Sequence, residues 1–327
     1  MTSAQQPVMS QPALERAADN ALTLARVREQ RSLWNNAWTQ FRHHRLAMAG
    51  LVVFGFLTLA VFIGPYVWPK EVNNPYPLGV EASAGPSLSN PMGTDSLAQD
   101  VLARVLYGGR ISISVGLVAA FVAISLGTIV GALAGFFGGF LDNLLMRITD
   151  LFISLPQLPL LLLITFLFRE SMQNFAEEYF GSRNVGVFIL IVVVIGCLAW
   201  MPTARLVRAS FLSVKEKEFV EAARSVGATR SMLISRHILP NVLSPIIVAA
   251  TLEVGGAIIT ESALSFLGLG FPSDVPTWGQ MLFQAKDYLE FAPHEALFPG
   301  TLIFLTVLAI NYIGDGLRDA LDPRKSN

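Results

Sequence analysis

The sequence predicts an all-α polytopic membrane protein with six transmembrane helices, and three observations carry that prediction. Hydrophobic residues make up 53% of the 327-residue chain and charged residues only 14%, against about 25% in soluble domains; the mean hydropathy is +0.53. Six stretches are long and apolar enough to cross a hydrocarbon core about 30 Å thick, which takes roughly 20 helical residues. The basic residues between those stretches are sorted by side. Six crossings leave both termini on one face, and of the 23 Lys and Arg residues seventeen fall on that face. Only Lys70, Arg104, Arg110, Arg169, Arg183 and Lys286 lie opposite. The positive-inside rule then makes both termini and the polar segment 213–240 cytoplasmic.

Residues 1–31 carry scattered Gln, Ala, Pro and charge without an apolar face, and read as a cytoplasmic tail. Ser32 is placed to cap a helix in which Leu33, Trp34, Ala37, Trp38 and Phe41 share a face. With Arg42, His43, His44 and Arg45 behind them, residues 32–46 read as an interfacial amphipathic helix on the inner leaflet, or as a basic flank that orients insertion. The first span is 47–68. It begins too late and runs too long for a signal peptide, and no small-residue cleavage site follows it. The external loop 69–110 is irregular between Val72 and Gly93. Thr94 or Asp95 then caps a short amphipathic helix bearing Val101, Leu102, Val105 and Leu106, which serves either packing or contact with an external partner.

Five further spans, 111–137, 144–168, 185–206, 241–267 and 297–316, make a core over 111–317, and residues 318–327 form a second cytoplasmic tail. In the second span Gly127, Gly131 and Gly135 repeat as small-x-x-x-small, a pattern for close helix packing. In the third, Pro156 and Pro159 are placed to open a kink. The single cysteine, Cys197, lies in the fourth span and has no intrachain partner.

The polar segment 213–240 holds the sharpest pattern. Phe219, Val220, Ala223 and Val226 form an apolar stripe at helical spacing, and Gly227 sits where a helix end favours positive φ. Thr229 starts a second short helix with Met232, Leu233 and Ile238, which Pro240 is expected to end. Two helices meeting at a glycine make a knuckle, ringed by Lys217, Glu218, Glu221 and Arg224. An apolar knuckle facing water calls for a covering surface; the alternative is a loop packed on its own chain.

Glu221-Ala222-Ala223, Gly227 and Leu239-Pro240 resemble the EAA motif of permease subunits in bacterial ABC importers, with His237 standing where the motif usually has an aliphatic residue. Met92-Gly93-Thr94-Asp95, Asp100-Val101-Leu102-Ala103-Arg104 and Gly109-Arg110-Ile111-Ser112 are similar to the external segment of the second membrane subunit in the dipeptide and oligopeptide family, although Ala98-Gln99 replaces a common Gly-Arg. Leu264-Ser265-Phe266-Leu267-Gly268-Leu269-Gly270 and Gly314-Asp315-Gly316-Leu317-Arg318-Asp319-Ala320-Leu321-Asp322-Pro323 resemble its last two spans, and Arg31-Ser32-Leu33-Trp34 the oligopeptide branch. The resemblance runs from Ser32 to Arg324.

It implies the transmembrane domain of a type I ABC importer, a transport subunit rather than an enzyme, in a bacterial inner membrane. The implied partners are a second homologous permease, two cytoplasmic ATPase subunits, an external binding protein, the lipid bilayer and a peptide substrate, with no nucleic acid. ATP and Mg would sit on the ATPase subunits, and no cofactor on this chain. Phe219, Glu221, Ala222, Ala223, Gly227, Leu239 and Pro240 would couple to the ATPase. The sequence agrees in carrying no phosphate-cradling G-x-x-x-x-G-K-[ST] loop, no H-E-x-x-H motif and no Ser/His/Asp set on one face.

Two acids inside the fifth span stand apart, because an ionisable group at membrane depth is costly. Glu253 and Glu261 are eight residues apart, within about 80° of each other on one helical face. They read as substrate-path residues, or as hydrogen-bonding groups between helices. The solute itself is open among peptides, glutathione, nickel complexes and opines. A secondary transporter is the remaining alternative, although it leaves the knuckle unexplained and favours internal repeats that are not evident.

Overall fold

The computed structural model describes residues 33–321; the expected Ser32 cap, the N-terminal tail and the residues after 321 lie outside the described residues. Among the described residues the regular structure is helical apart from one bridge between Thr94 and Asp100. The helices are α1 (Leu33–His43), α2 (Arg45–Val67), α3 (Val101–Phe137), α4 (Gly139–Ser154), α5 (Gln157–Phe180), α6 (Arg183–Ala199), α7 (Met201–Lys215), α8 (Glu218–Ser225), α9 (Arg230–Phe266), α10 (Trp278–Ala285) and α11 (His294–Ala320). Four of them, α2, α3, α9 and α11, are each long and apolar enough to cross a membrane. The pairs α4–α5 and α6–α7 qualify as two more spans, bent by 87° and 44°.

The first bend falls at the expected Pro156 kink, and the second departs from a straight expected span. The expected third span, 144–168, is broken at Leu155–Pro156: Leu155, forced extended by the proline after it, has φ −79° and ψ 140°. The expected fourth span, 185–206, breaks at Trp200 because Pro202, in the first turn of α7, has no N–H for the carbonyl four residues back.

The expected short helix and second span are instead one helix of 37 residues, α3, about 55 Å long. Asp100, rather than Thr94 or Asp95, is its cap and accepts from the Ala103 N–H at 2.8 Å. Gly108-Gly109 does not interrupt it. Both glycines lie where a Cβ would strike the start of α10, at the Pro276 carbonyl just before it and the Trp278 ring at its first residue. Trp278 is fully buried there, its Nε1 donating to Val105 O at 3.0 Å.

The glycine repeat does bring backbones together. A Cβ on Gly127 would stand 2.6 Å from Thr203 Cβ and one on Gly135 2.7 Å from Phe211 Cβ, while one on Gly131 would strike the Ala204 carbonyl. All three targets are on α7, so α3 and α7 lie side by side. Arg208 of α7 forks onto Asp142 of α4, with Nη2 to Oδ2 at 2.7 Å, and Arg205 pairs with Asp150 one helical step away.

α1 lays Ala37 and Phe41 against Ala47 and Ala320, with Trp38 left exposed. The start of α2 and the end of α11 therefore meet. Because α9 and α11 run antiparallel, with Gly314 against Thr251 and Leu252, this meeting point lies at the same end of the bundle as segment 213–240.

At the opposite end, segment 69–100 is knotted around Arg104. That side chain is only 1% exposed; it lies 3.4 Å from Asp95 Oδ2, donates to Gln284 Oε1 at 2.8 Å and also reaches Gln99. Asp95 in turn accepts from the N–H groups of Leu97 and Gln99 at 2.9 and 2.8 Å. Burial pushes the Asp95 carboxyl above the usual carboxylate range, against the downward pull of Arg104.

Candidate functional site

Segment 213–240 folds as a knuckle with two faces. α8 ends in a Schellman cap: the Ala228 N–H bonds Ala223 O and the Gly227 N–H bonds Arg224 O, each at 3.0 Å, with Gly227 at φ +89°. Thr229 then caps α9, its Oγ1 accepting from the Met232 N–H at 3.3 Å. Val220, Ala223, Leu233 and Ile238 turn inward onto Phe136 of α3 and Phe211 of α7. Phe219, Val226 and Met232 turn outward, Val226 being 87% exposed. The expected stripe is thus divided: half anchors the knuckle to its own bundle, and half is left open among exposed Lys217, Glu218, Glu221 and Arg224.

The second half of the knuckle differs from expectation. Pro240 does not end a short helix; α9 runs from Arg230 to Phe266 through a π-helical turn, Leu233–Ile238. A proline inside an α-helix clashes with the carbonyl four residues back, here that of Arg236. The widened turn relieves that clash. Leu239 is half-buried, whereas Pro240, Glu221, Ala222 and Gly227 are exposed.

A cavity of about 570 Å³ lies where the two bends converge. Leu155 and Gln157 line it from the α4–α5 break, Leu198, Pro202 and Arg205 from the α6–α7 break, and Glu253 with Gly256 from α9. The breaks are stitched together. Gln157 Nε2 donates to Leu198 O at 3.3 Å, and Leu198 is the residue whose carbonyl Pro202 leaves without a helical donor. Sequence reasoning missed Gln157 and Arg205; the available signal was a polar side chain beside each proline of an otherwise apolar run.

The two intramembrane acids have separate environments. Glu253 is half-buried, lines the cavity and makes no hydrogen bond or ion pair with a described residue. Glu261 does not reach the cavity. It is fully buried and accepts from Ser265 Oγ at 2.8 Å and Ser112 Oγ at 3.2 Å, while Ser112 Oγ also accepts from the Trp278 N–H at 3.3 Å. Glu261 therefore ties α9 to α3 and α10. Among the described residues no group of His, Cys, Asp and Glu is arranged to hold a metal ion.

The family described as binding-protein-dependent transport system inner membrane component matches residues 127–327, well over half of the chain. The chain belongs to that family. A second family, the N-terminal TM domain of oligopeptide transport permease C, matches residues 32–86, so the expected resemblance is borne out at both ends. The oligopeptide transport system permease protein OppC of Haemophilus influenzae is 38% identical over 90% of each chain. The dipeptide transport system permease protein DppC of Alkalihalophilus pseudofirmus is also 38% identical over 90% of each. The glutathione transport system permease protein GsiD of Pectobacterium atrosepticum is 37% identical over 93% of this chain and 95% of its own.

The inward-facing MetNI methionine ABC transporter gives a TM-score of 0.50 at 21% identity, covering 67% of this chain and 96% of that one. The fold is that of a type I ABC importer transmembrane domain. As a member of the inner membrane component family, the chain is a multi-pass transport component.

Proposed function

We propose that this chain is a permease subunit of an ATP-driven peptide importer, forming half of the translocation pore and coupling to a cytoplasmic ATPase through residues 213–240. The observation that carries the reading is the divided knuckle. Its inner face is fixed to α3 and α7, while its outer face leaves Phe219 and Val226 open to water inside a ring of charge, the kind of exposed apolar patch that marks a protein–protein contact.

The knuckle is well placed to move the pore. α7 runs from the cavity to the knuckle, and α9 runs from the knuckle back past the cavity at Glu253. Displacement of the knuckle by ATPase closure is thereby delivered to two walls of the cavity as a rigid-body tilt, the motion alternating access requires. ATP and Mg belong to the two ATPase subunits. A second permease completes the pore, an external binding protein delivers the solute, and the termini lie in the cytosol.

Peptide is favoured over other solutes because the matched N-terminal family is that of oligopeptide permease C and two of the relatives are oligopeptide and dipeptide permeases. Glutathione, itself a small peptide, is the second reading, carried by the GsiD relative. Uptake of labelled peptides of graded length and of glutathione by proteoliposomes holding the full importer decides between them. Absence of ATP-dependent uptake of either would end the proposal.

A further inference from the structure

We infer that the cavity at the two helix breaks is a cation subsite in which the Glu253 carboxylate receives the free α-ammonium group of a passing peptide. The inference rests on the importer reading and names the chemistry of one point on its path.

The inventory of the cavity wall carries the argument. The side-chain donors there have partners within the protein: Gln157 Nε2 donates to Leu198 O, the Thr260 hydroxyl to Gly256 O at 2.8 Å, and Arg205 Nη2 to Asp150. The remaining polar side chain is an acceptor, Glu253, with no described partner. A carboxylate taken from water without a partner is expensive. The proline at each helix start matters too. Pro156 precedes α5, and Pro159 and Pro202 lie in the first turns of α5 and α7, removing N–H groups that would otherwise attract an anion. Each break also presents one helix C-terminus and one N-terminus, whose dipoles oppose. Arg205 has Asp150 as its counter-ion, which leaves Glu253 as the charged group in the wall without one. The volume suits one end of a short peptide.

A charge-selective thiol probe tests this in the assembled importer. Gly256 lies one turn from Glu253, lines the cavity, and a Cβ there meets open space. In a Cys197→Ala background, Gly256→Cys is treated with cationic ethyltrimethylammonium and anionic ethylsulfonate methanethiosulfonates. The cationic reagent is expected to react faster, and Glu253→Gln to lower that rate ratio about tenfold. Trialanine should slow the cationic reagent, N-acetyl-trialanine should not, and Glu253→Gln should abolish the difference.

A rate ratio unmoved by Glu253→Gln, equal protection or no protection by the two peptides, or a thiol inert to both reagents would overturn the subsite. Reagent selectivity requires no transport. Failure of peptide uptake, measured separately in proteoliposomes, would count against the importer reading instead.

Discussion

The Gln157 carboxamide donates to the Leu198 carbonyl at 3.3 Å, and that carbonyl is the one Pro202 orphans. A bond between residues 41 positions apart thereby joins the two helix breaks into one structure. The same device recurs at Pro65 in α2, which orphans the Val61 carbonyl: Arg110 Nε donates to it at 2.8 Å. Bent spans are costly at membrane depth unless neighbours re-satisfy the backbone.

Gln157→Leu should therefore destabilise the folded importer by about 1–3 kcal/mol, the cost of an unmet buried acceptor. Pro202→Ala restores a backbone donor, so Gln157→Leu in that background should cost less. Thermal melting of the purified complex in a double-mutant cycle measures the coupling; purely additive effects would contradict the geometry.

Gly227→Trp should leave the protein inserted while peptide-stimulated ATP hydrolysis and uptake separate from one another. A β-carbon at φ +89° costs about 1–2 kcal/mol locally, and the indole would obstruct the open face of the knuckle. Glu221→Lys should uncouple in the same way without backbone strain. Normal coupling in both variants would remove residues 213–240 from the proposed contact.

Gly131→Leu should force α3 from α7, since even a Cβ there strikes the Ala204 carbonyl. Overpacking costs about 1–3 kcal/mol or more. The expected readout is lower yield of folded protein and a lower melting temperature, with Gly256→Ala, which faces open space, unaffected.

Arg104→Leu should be among the most damaging single changes, about 3–5 kcal/mol, because it strands the Asp95 carboxylate among buried groups. Arg104→Lys should fail to rescue, since one ammonium cannot serve Asp95, Gln99 and Gln284 together. Protease sensitivity of segment 69–100 in membranes reports the loss.

Most of the helical content was legible because apolar length is a local property of the chain. The kink at Pro156 was legible too, but its 87° size and the second break at Pro202 were not. Pro156 and Pro202 sit inside continuous apolar runs, and what turns them into bends, a donor from another helix, is distant in sequence. Pro240 was misjudged for a related reason: a proline ends a helix only if the turn before it cannot widen, and Leu233–Ile238 widens. Glu253 and Glu261 share a face and looked alike; only Ser112, 149 positions from Glu261, and the insertion of α10 separate them. The knuckle was legible as a motif, but its division into anchored and open faces depended on Phe136 and Phe211 from other helices.

The π-helical turn ahead of Leu239 stores one residue of angular slack. Residues before it set the orientation of Gly227, and residues after it set the bearing of Glu253. Deleting Ser235 would let the turn close as ordinary α-helix and leave each part with its own contacts. The same deletion in the regular helix between Leu239 and Glu253 has no slack to draw on, and would turn the chemistry about 100° out of phase with the machinery that drives it.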